Sequence, residues 1–330
     1  MKKYLVSAAI AMFLAAPAAA HHNWAAIYDV NSDIEIQGVV SDIQWRNPHI
    51  RVSFTVDAGT ANEKIYTTES NSVASLTRMN VTPELLAVGT PVRVAGYRSR
   101  TLDNDIFMNH LLLPDNREVI FLRTDEPRWS NAERVGNTDR AHGRVVEEDF
   151  SKRPTSVFGV WTTIFGAEGS HQAMGAPIDW TEKALAMQAV QAANPAAEVD
   201  QCAPRGGVST IQAPYPMQLI DNGDTVVIHT EFFDSMREVH MNTPHQPPEI
   251  PGTYGYSTGY FVGDTLVVTT SLGEDQVGAQ VHETFHLSAD HNRLQYTQII
   301  VDPEMRATPT MNQKWWQYQP GAFVQPYDCD

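Results

Sequence analysis

Three histidines stand within the first 49 residues: His21, His22 and His49. The run AAPAAA ends directly before the first of them. Ala18 and Ala20 fit the small-x-small rule of signal peptidase, so cleavage after Ala20 makes His21 the first mature residue. That residue then offers an α-amine and an imidazole together. An α-amine titrates at about 7.7–8.0, low enough for a metal to displace its proton near neutrality. An amine with imidazoles in tetragonal array suits Cu(II). His22 is the substitute, chelating through the amine and the intervening amide. His49 follows Asn47-Pro48 at the end of a strand pair, where rigid backbone aims it. The competing reading is a terminus without metal, beside a histidine that only caps a barrel.

A second group lies in the C-terminal half. Val227, His229 and Glu231 alternate along one predicted strand face, and Arg237 follows a short loop later. Glu283 and Asp302 fall on the last long strand pair. Carboxylates and an arginine on inward faces make a ligand clamp or an acid–base group. Glu231, Arg237, Glu283 and Asp302 are the catalytic candidates. His229, Glu231, Arg237, Glu283, Tyr256 and Tyr260 are the binding candidates, the two tyrosines belonging to a glycine-interleaved lip, YGYSTGY. The alternative is a structural ion network closing a barrel floor, since buried charges need partners in any case. HETFH, residues 282–286, matches the zinc motif H-E-x-x-H, which works on a helix. Here the segment alternates like a strand, on which the two histidines stand about 13 Å apart, too far to share one zinc. No phosphate loop, nucleophile elbow or basic nucleic-acid patch is present.

MKK and the apolar stretch that follows complete a signal-peptide pattern, which predicts an exported, periplasmic or secreted chain. The 23 basic and 39 acidic residues give a net charge of −16. The charge becomes two units more negative once Lys2 and Lys3 leave with the leader. Such a surface repels nucleic acid and anionic lipid. No later segment has the roughly 18 apolar residues of a membrane span. The two cysteines, Cys202 and Cys329, predict one disulfide in an oxidising compartment. Closing so long a loop is worth on the order of 4–5 kcal/mol in the chain-entropy model. A thiol redox or metal site is the alternative, without a C-x-x-C to support it.

The elements that must position these groups are mostly strands. DIEIQGVVSDIQW, HIRVSFTV, EKIYTTE, TPVRVAGYRSR and FMNHLLLP alternate with period two. TPELLAVG reads as one helix, with Thr82 as N-cap and Gly89 ending it. Five strands and a short helix predict an OB-like barrel over 21–122. Residues 123–155 are polar and poorly periodic, a linker or strap. Residues 156–330 then read as one helix, DWTEKALAMQAVQAANP with Asp179 as N-cap, followed by a meander of hairpins turning at Asn222-Gly223 and Gly263-Asp264. A meander that long curls into a barrel.

Residues 21–122 resemble an uncharacterised family of exported bacterial domains. The shared features are His21-His22, Gly38-Val39-Val40, Trp45-Arg46-Asn47-Pro48-His49, Glu69 and Val92 to Gly96. Residues 156–330 resemble a second uncharacterised exported family, through Gly159-Val160-Trp161, Cys202-Ala203-Pro204-Arg205-Gly206, Glu231, Arg237, Gly263 to Val268, Asp302-Pro303 and Tyr327-Asp328-Cys329. This resemblance implies a lipocalin-like antiparallel barrel. Phe261-Val262 stand where that family carries Trp-Glu. Neither resemblance brings a known reaction.

The expectation is a mainly β, two-barrel exported protein that binds a small, largely apolar molecule, with copper at the mature terminus. The alternatives are an enzyme, using the Glu231/Arg237/Glu283 group or a copper oxidase centre, and a protein-interaction module.

Overall fold

The computed structural model describes residues 27–121, 127–129, 131–136, 153–163, 178–193, 206–213, 215–243, 254–273, 278–318 and 322–327. Sixteen strands fall among them, in two separate sheets. The first holds β1 (Tyr28–Gln44), β2 (Arg51–Val56), β3 (Lys64–Glu69), β4 (Pro91–Ser99), β5 (Asp105–Leu112), β6 (Arg117–Ile120) and β7 (Glu133–Val135). Their order is β3-β2-β1-β4-β5-β6-β7, and β3 also pairs in parallel with β5. The first five strands therefore close into a ring. Period-two alternation sends Ile34, Ile36, Val52, Phe54, Val92 and Val94 into its core. Gly96 permits the closure. A Cβ there would lie 2.0 Å from the carbonyl oxygen of Phe107, at the point where the β4–β5 register shifts.

Helix α1 (Val73–Arg78) packs Leu76 into the same core. Ser72 caps it, its Oγ accepting from Ser75 N at 3.2 Å. The sequence reading placed this region's helix only at TPELLAVG. There the chain makes a single 3-10 turn, Pro83–Leu86, and Thr82 provides no side-chain cap. The strap is not wholly a connection either, because β7 pairs in parallel with β6.

The second sheet is a closed barrel. Its strands are β8 (Gly159–Thr163), β9 (Met217–Asp221), β10 (Thr225–Thr230), β11 (Ser235–Met241), β12 (Tyr256–Val262), β13 (Thr265–Ser271), β14 (Gln280–Leu287), β15 (Arg293–Val301) and β16 (Thr310–Tyr318). The ring runs β10 to β16 and then β8-β9. Every neighbouring pair is antiparallel except β11–β12, which is parallel. The expected wholly antiparallel meander is broken there, because the chain crosses over between Met241 and Tyr256 rather than turning as a hairpin. Trp161, Leu219, Ile228, Leu266, Phe285, Leu294 and Trp316 pack the interior.

Helix α2 (Glu182–Ala193) begins two residues later than an Asp179 cap implies, and Thr181 caps it, its Oγ1 accepting from Ala184 N. Asp179 instead gives its carbonyl to Ala307 N. A short helix α3 (Gly207–Thr210) lies across one end of the barrel.

Candidate functional site at the capped end of the second barrel

The barrel interior is not uniformly apolar. Toward the end covered by α3, its inward positions become Ser235 and Arg237 on β11, Ser257 on β12 and Thr270 on β13. Glu283 on β14, Tyr296 and Gln298 on β15, and Lys314 on β16 continue the layer. All of these are buried. Arg237 Nη1 and Nη2 donate to Glu283 Oε2 and Oε1 at 2.6 and 2.8 Å, a bidentate pair. Arg237 Nη1 also reaches Thr270 Oγ1 at 2.7 Å. Tyr296 donates its hydroxyl to Glu283 Oε1 at 2.7 Å. Burial, reinforced by the Glu283 charge, raises the Tyr296 phenol well above its ordinary range, so it stays a proton donor to that carboxylate.

The cap is fastened to this layer through its backbone. Lys314 Nζ donates to the carbonyls of Ile211 and Ala213 at 3.0 and 2.7 Å. Gln298 Nε2 donates to Val208 O at 3.0 Å, and Gln212 Nε2 donates to Gln298 Oε1 at 3.0 Å. Thr230 Oγ1 donates to Thr210 Oγ1, which donates on to Ser235 Oγ. Burial alone lowers the Lys314 ammonium to about 7. Near neutrality it thus exchanges between a cation and an amine, a change few buried side chains make at that pH.

The structure brings Arg237 and Glu283 together and separates them from the other site candidates. Glu231 lies past the end of β10, fully buried. It accepts from Arg78 of α1 and, at 3.0 Å, from the backbone N of Gln325. Around it Tyr215 stacks on Phe232 with ring centroids 5.0 Å apart, and Tyr327 packs edge-on to both. Tyr215 is also hydrogen-bonded to Ser72. Glu231 is therefore a junction between the two sheets and not a member of the barrel layer.

His229 was expected to face inward with Val227. Val226, Ile228 and Thr230 are the buried positions of β10, so the pattern is displaced by one residue. His229 Nε2 meets Asp234 Oδ1 at 2.6 Å. Tyr256 stacks on His240, and Tyr260 is half exposed. Asp302 accepts from Met305 N, holding a turn. Segment 282–286 is strand, within β14. His282 and His286 meet Thr269 and Thr265 on one face, while Glu283 points to the other.

In the first sheet, His49 Nδ1 donates to Ser70 O at 2.7 Å and lies 3.7 Å from Glu69 Oε1. The carbonyl can only accept, so this bond puts a proton on Nδ1. Tyr28, the first residue of β1, is hydrogen-bonded to Asp105 and feels the charge of Glu69. Burial raises both the Tyr28 phenol and the Asp105 carboxyl above their ordinary ranges. His21, His22, Cys202 and Cys329 lie outside the described residues. Among the described residues, no three His, Cys, Asp or Glu side chains gather as a metal set. None of the described helices is long and apolar enough to cross a membrane.

Lys314 escaped the sequence reading. A lysine in a strand ordinarily faces water, and only the alternation Thr310, Asn312, Lys314, Trp316 places it inward.

Residues 9–105 match a family of unknown function (DUF6152). The matched stretch overlaps the first of the two family resemblances and ends at Asp105, the first residue of β5. No curated protein and no solved structure matches the chain.

Proposed function

We propose that this chain is an exported binding protein whose small, largely apolar ligand enters the second barrel at the end capped by α3. The observation that carries this reading is the asymmetry of the interior. Aromatic and aliphatic side chains fill one part of the barrel. The other part is a layer of charged and hydroxyl groups beneath a four-residue helix. Binding sites combine apolar walls with a few placed polar groups in this way. The cap is joined to this layer largely by side-chain bonds to its carbonyls, bonds that a ligand's own oxygens can take over.

On this reading the five-stranded ring with α1 between β3 and β4 is OB-like, and the nine-stranded barrel is lipocalin-like with an added parallel pair. The mature chain begins at His21 in the periplasm, and Cys202 pairs with Cys329. Native mass spectrometry of protein purified from periplasm tests all of this together. A mass starting at His21, two hydrogens short of the dithiol, with a bound small molecule, is the expected result. Repeated preparations with an empty barrel would contradict the binding reading.

A copper site at the mature terminus is the second reading, favoured by one observation. The His49 ring is partly exposed and held through Nδ1, beside the same Glu69 that Tyr28 senses. Tyr28 lies six positions after His22, a span of at most roughly 20 Å when extended. Cu(II) titration followed by electron paramagnetic resonance tests it. A variant with one extra N-terminal alanine loses most affinity if the His21 amine is a ligand, and binds as the parent does if it is not.

A further inference from the structure

The polar layer carries more donors than acceptors. Arg237 Nε, Trp316 Nε1 and Thr163 Oγ1 are buried and have no hydrogen-bond partner among the described residues. The first two are donors only, and the third donates as readily as it accepts. Thr163 stands directly opposite Trp316 in the β8–β16 register, so both side chains face the interior. Lys314 lies two residues from Trp316 on the same strand face, its Nζ 4.6 Å from the centre of that ring. Tyr296 is opposite Lys314, and its ring lies 5.4 Å from that of Trp316. These groups form one connected wall, linked to Arg237 through Glu283.

Among the described residues Lys314 has no counter-ion. The carboxylate of Glu283 is occupied by Arg237 and Tyr296. Among the described residues, β16 and β15 bring Asn312, Trp316, Tyr296 and Gln298 to this layer, and α3 with the residues after it brings Thr210 and Gln212. None of these is a carboxylate. The two oxygens on Nζ are the cap carbonyls of Ile211 and Ala213. A buried ammonium, surplus donors and a pair of oxygens supplied only by the cap backbone describe a place for an oxygen pair that carries negative charge.

We infer that Lys314 is the anchor for a carboxylate at the polar end of the ligand, the two carboxylate oxygens replacing the Ile211 and Ala213 carbonyls as the cap lifts. Trp316 Nε1 and Thr163 Oγ1 supply further donors to it. The inference rests on the proposed binding function and narrows it to carboxylate-bearing amphiphiles. It also fixes a proton balance. Pairing with an anion holds Lys314 protonated, so binding above neutral pH takes up a proton.

The test is calorimetry on the full mature chain at pH 8, with octanoate and octan-1-ol, in two buffers of different ionisation heat. Octanoate is expected to bind about ten-fold or more tighter than the alcohol, as a charge-assisted pair does. It is also expected to take up close to one proton per molecule bound. Lys314→Met, checked for fold by circular dichroism, should bind the two ligands alike. Equal binding of acid and alcohol to the parent, without proton uptake, overturns the carboxylate anchor and leaves barrel binding standing. Persistence of the acid preference in Lys314→Met overturns the assignment to Lys314. Binding of neither ligand removes the binding reading, and the anchor with it. If Lys314→Met does not fold, proton uptake by the parent decides.

Discussion

Arg78 on α1 donates to Glu231 across the junction of the two sheets, and Glu231 has no solvent exposure. These residues are 153 positions apart in the chain. The pair ties the first sheet to the capped end of the barrel, with Ser72, Tyr215 and Tyr327 packed around it. Removing Arg78 leaves a buried carboxylate whose remaining partner among the described residues is the Gln325 amide. Arg78→Ala should therefore cost about 3–5 kcal/mol. Chemical denaturation followed by Trp fluorescence should show one transition in the parent and two in the variant. An unchanged single transition would mean that the junction is energetically idle.

The Arg237–Glu283 pair should behave as a coupled unit. Either residue alone, as Arg237→Met or Glu283→Gln, strands a buried charge and should destabilise by about 3–5 kcal/mol. The double variant Arg237→Met/Glu283→Met should cost clearly less than the two single changes added together. Simple additivity in a double-mutant cycle would show that the charges do not rely on one another.

Lys314 gives stability a pH slope of known sign. Its folded pKa, about 7, lies below the unfolded value of 10.5. Between those values the unfolded chain holds the extra proton, so this group favours the fold more as pH rises. The slope for one proton is at most about 1.4 kcal/mol per pH unit. Below the folded pKa both states are protonated and the contribution is flat. Parent minus Lys314→Met stability, measured from pH 6 to 10 without ligand, should rise through that window. A flat difference would place the proton elsewhere.

Gly96 is a steric requirement of the first ring. A Cβ would sit 2.0 Å from Phe107 O, and that oxygen belongs to backbone that cannot swing aside. Gly96→Ala should destabilise by about 1–3 kcal/mol or more, as overpacking does. Thermal melting of the variant against the parent measures it, and an unchanged melting temperature would contradict the tight β4–β5 approach.

Much of the architecture was legible because strands on a half-buried sheet print their period. Ile34, Ile36, Val52, Phe54, Val92 and Val94 all alternate as read. Helix α1 was not legible. It is six residues long, and VASLTR carries β-branched Val73 and Thr77 between weakly apolar positions. The sequence pattern points Val227 and His229 inward only if Glu231 continues β10. The chain instead leaves the strand at Thr230, and a one-residue displacement reverses every side chain. Its partner Arg78 had no local signal at all, since a contact so distant in sequence leaves no periodicity. Arg237 and Glu283 could be nominated by charge type, whereas Lys314 carried the ordinary signature of a surface residue.

The binding end of the barrel can be located without knowing the natural ligand. Hydrogen exchange of the mature chain, read with and without saturating octanoate, reports on the amides of residues 206–213 and on β16. Binding under the cap predicts that exchange changes in 206–213, where the Ile211 and Ala213 carbonyls exchange their Lys314 bonds for new surroundings, and around Lys314. The rest of the chain should stay as it was. Octanoate binding that leaves 206–213 unchanged and alters exchange elsewhere would contradict the assignment of this end as the site.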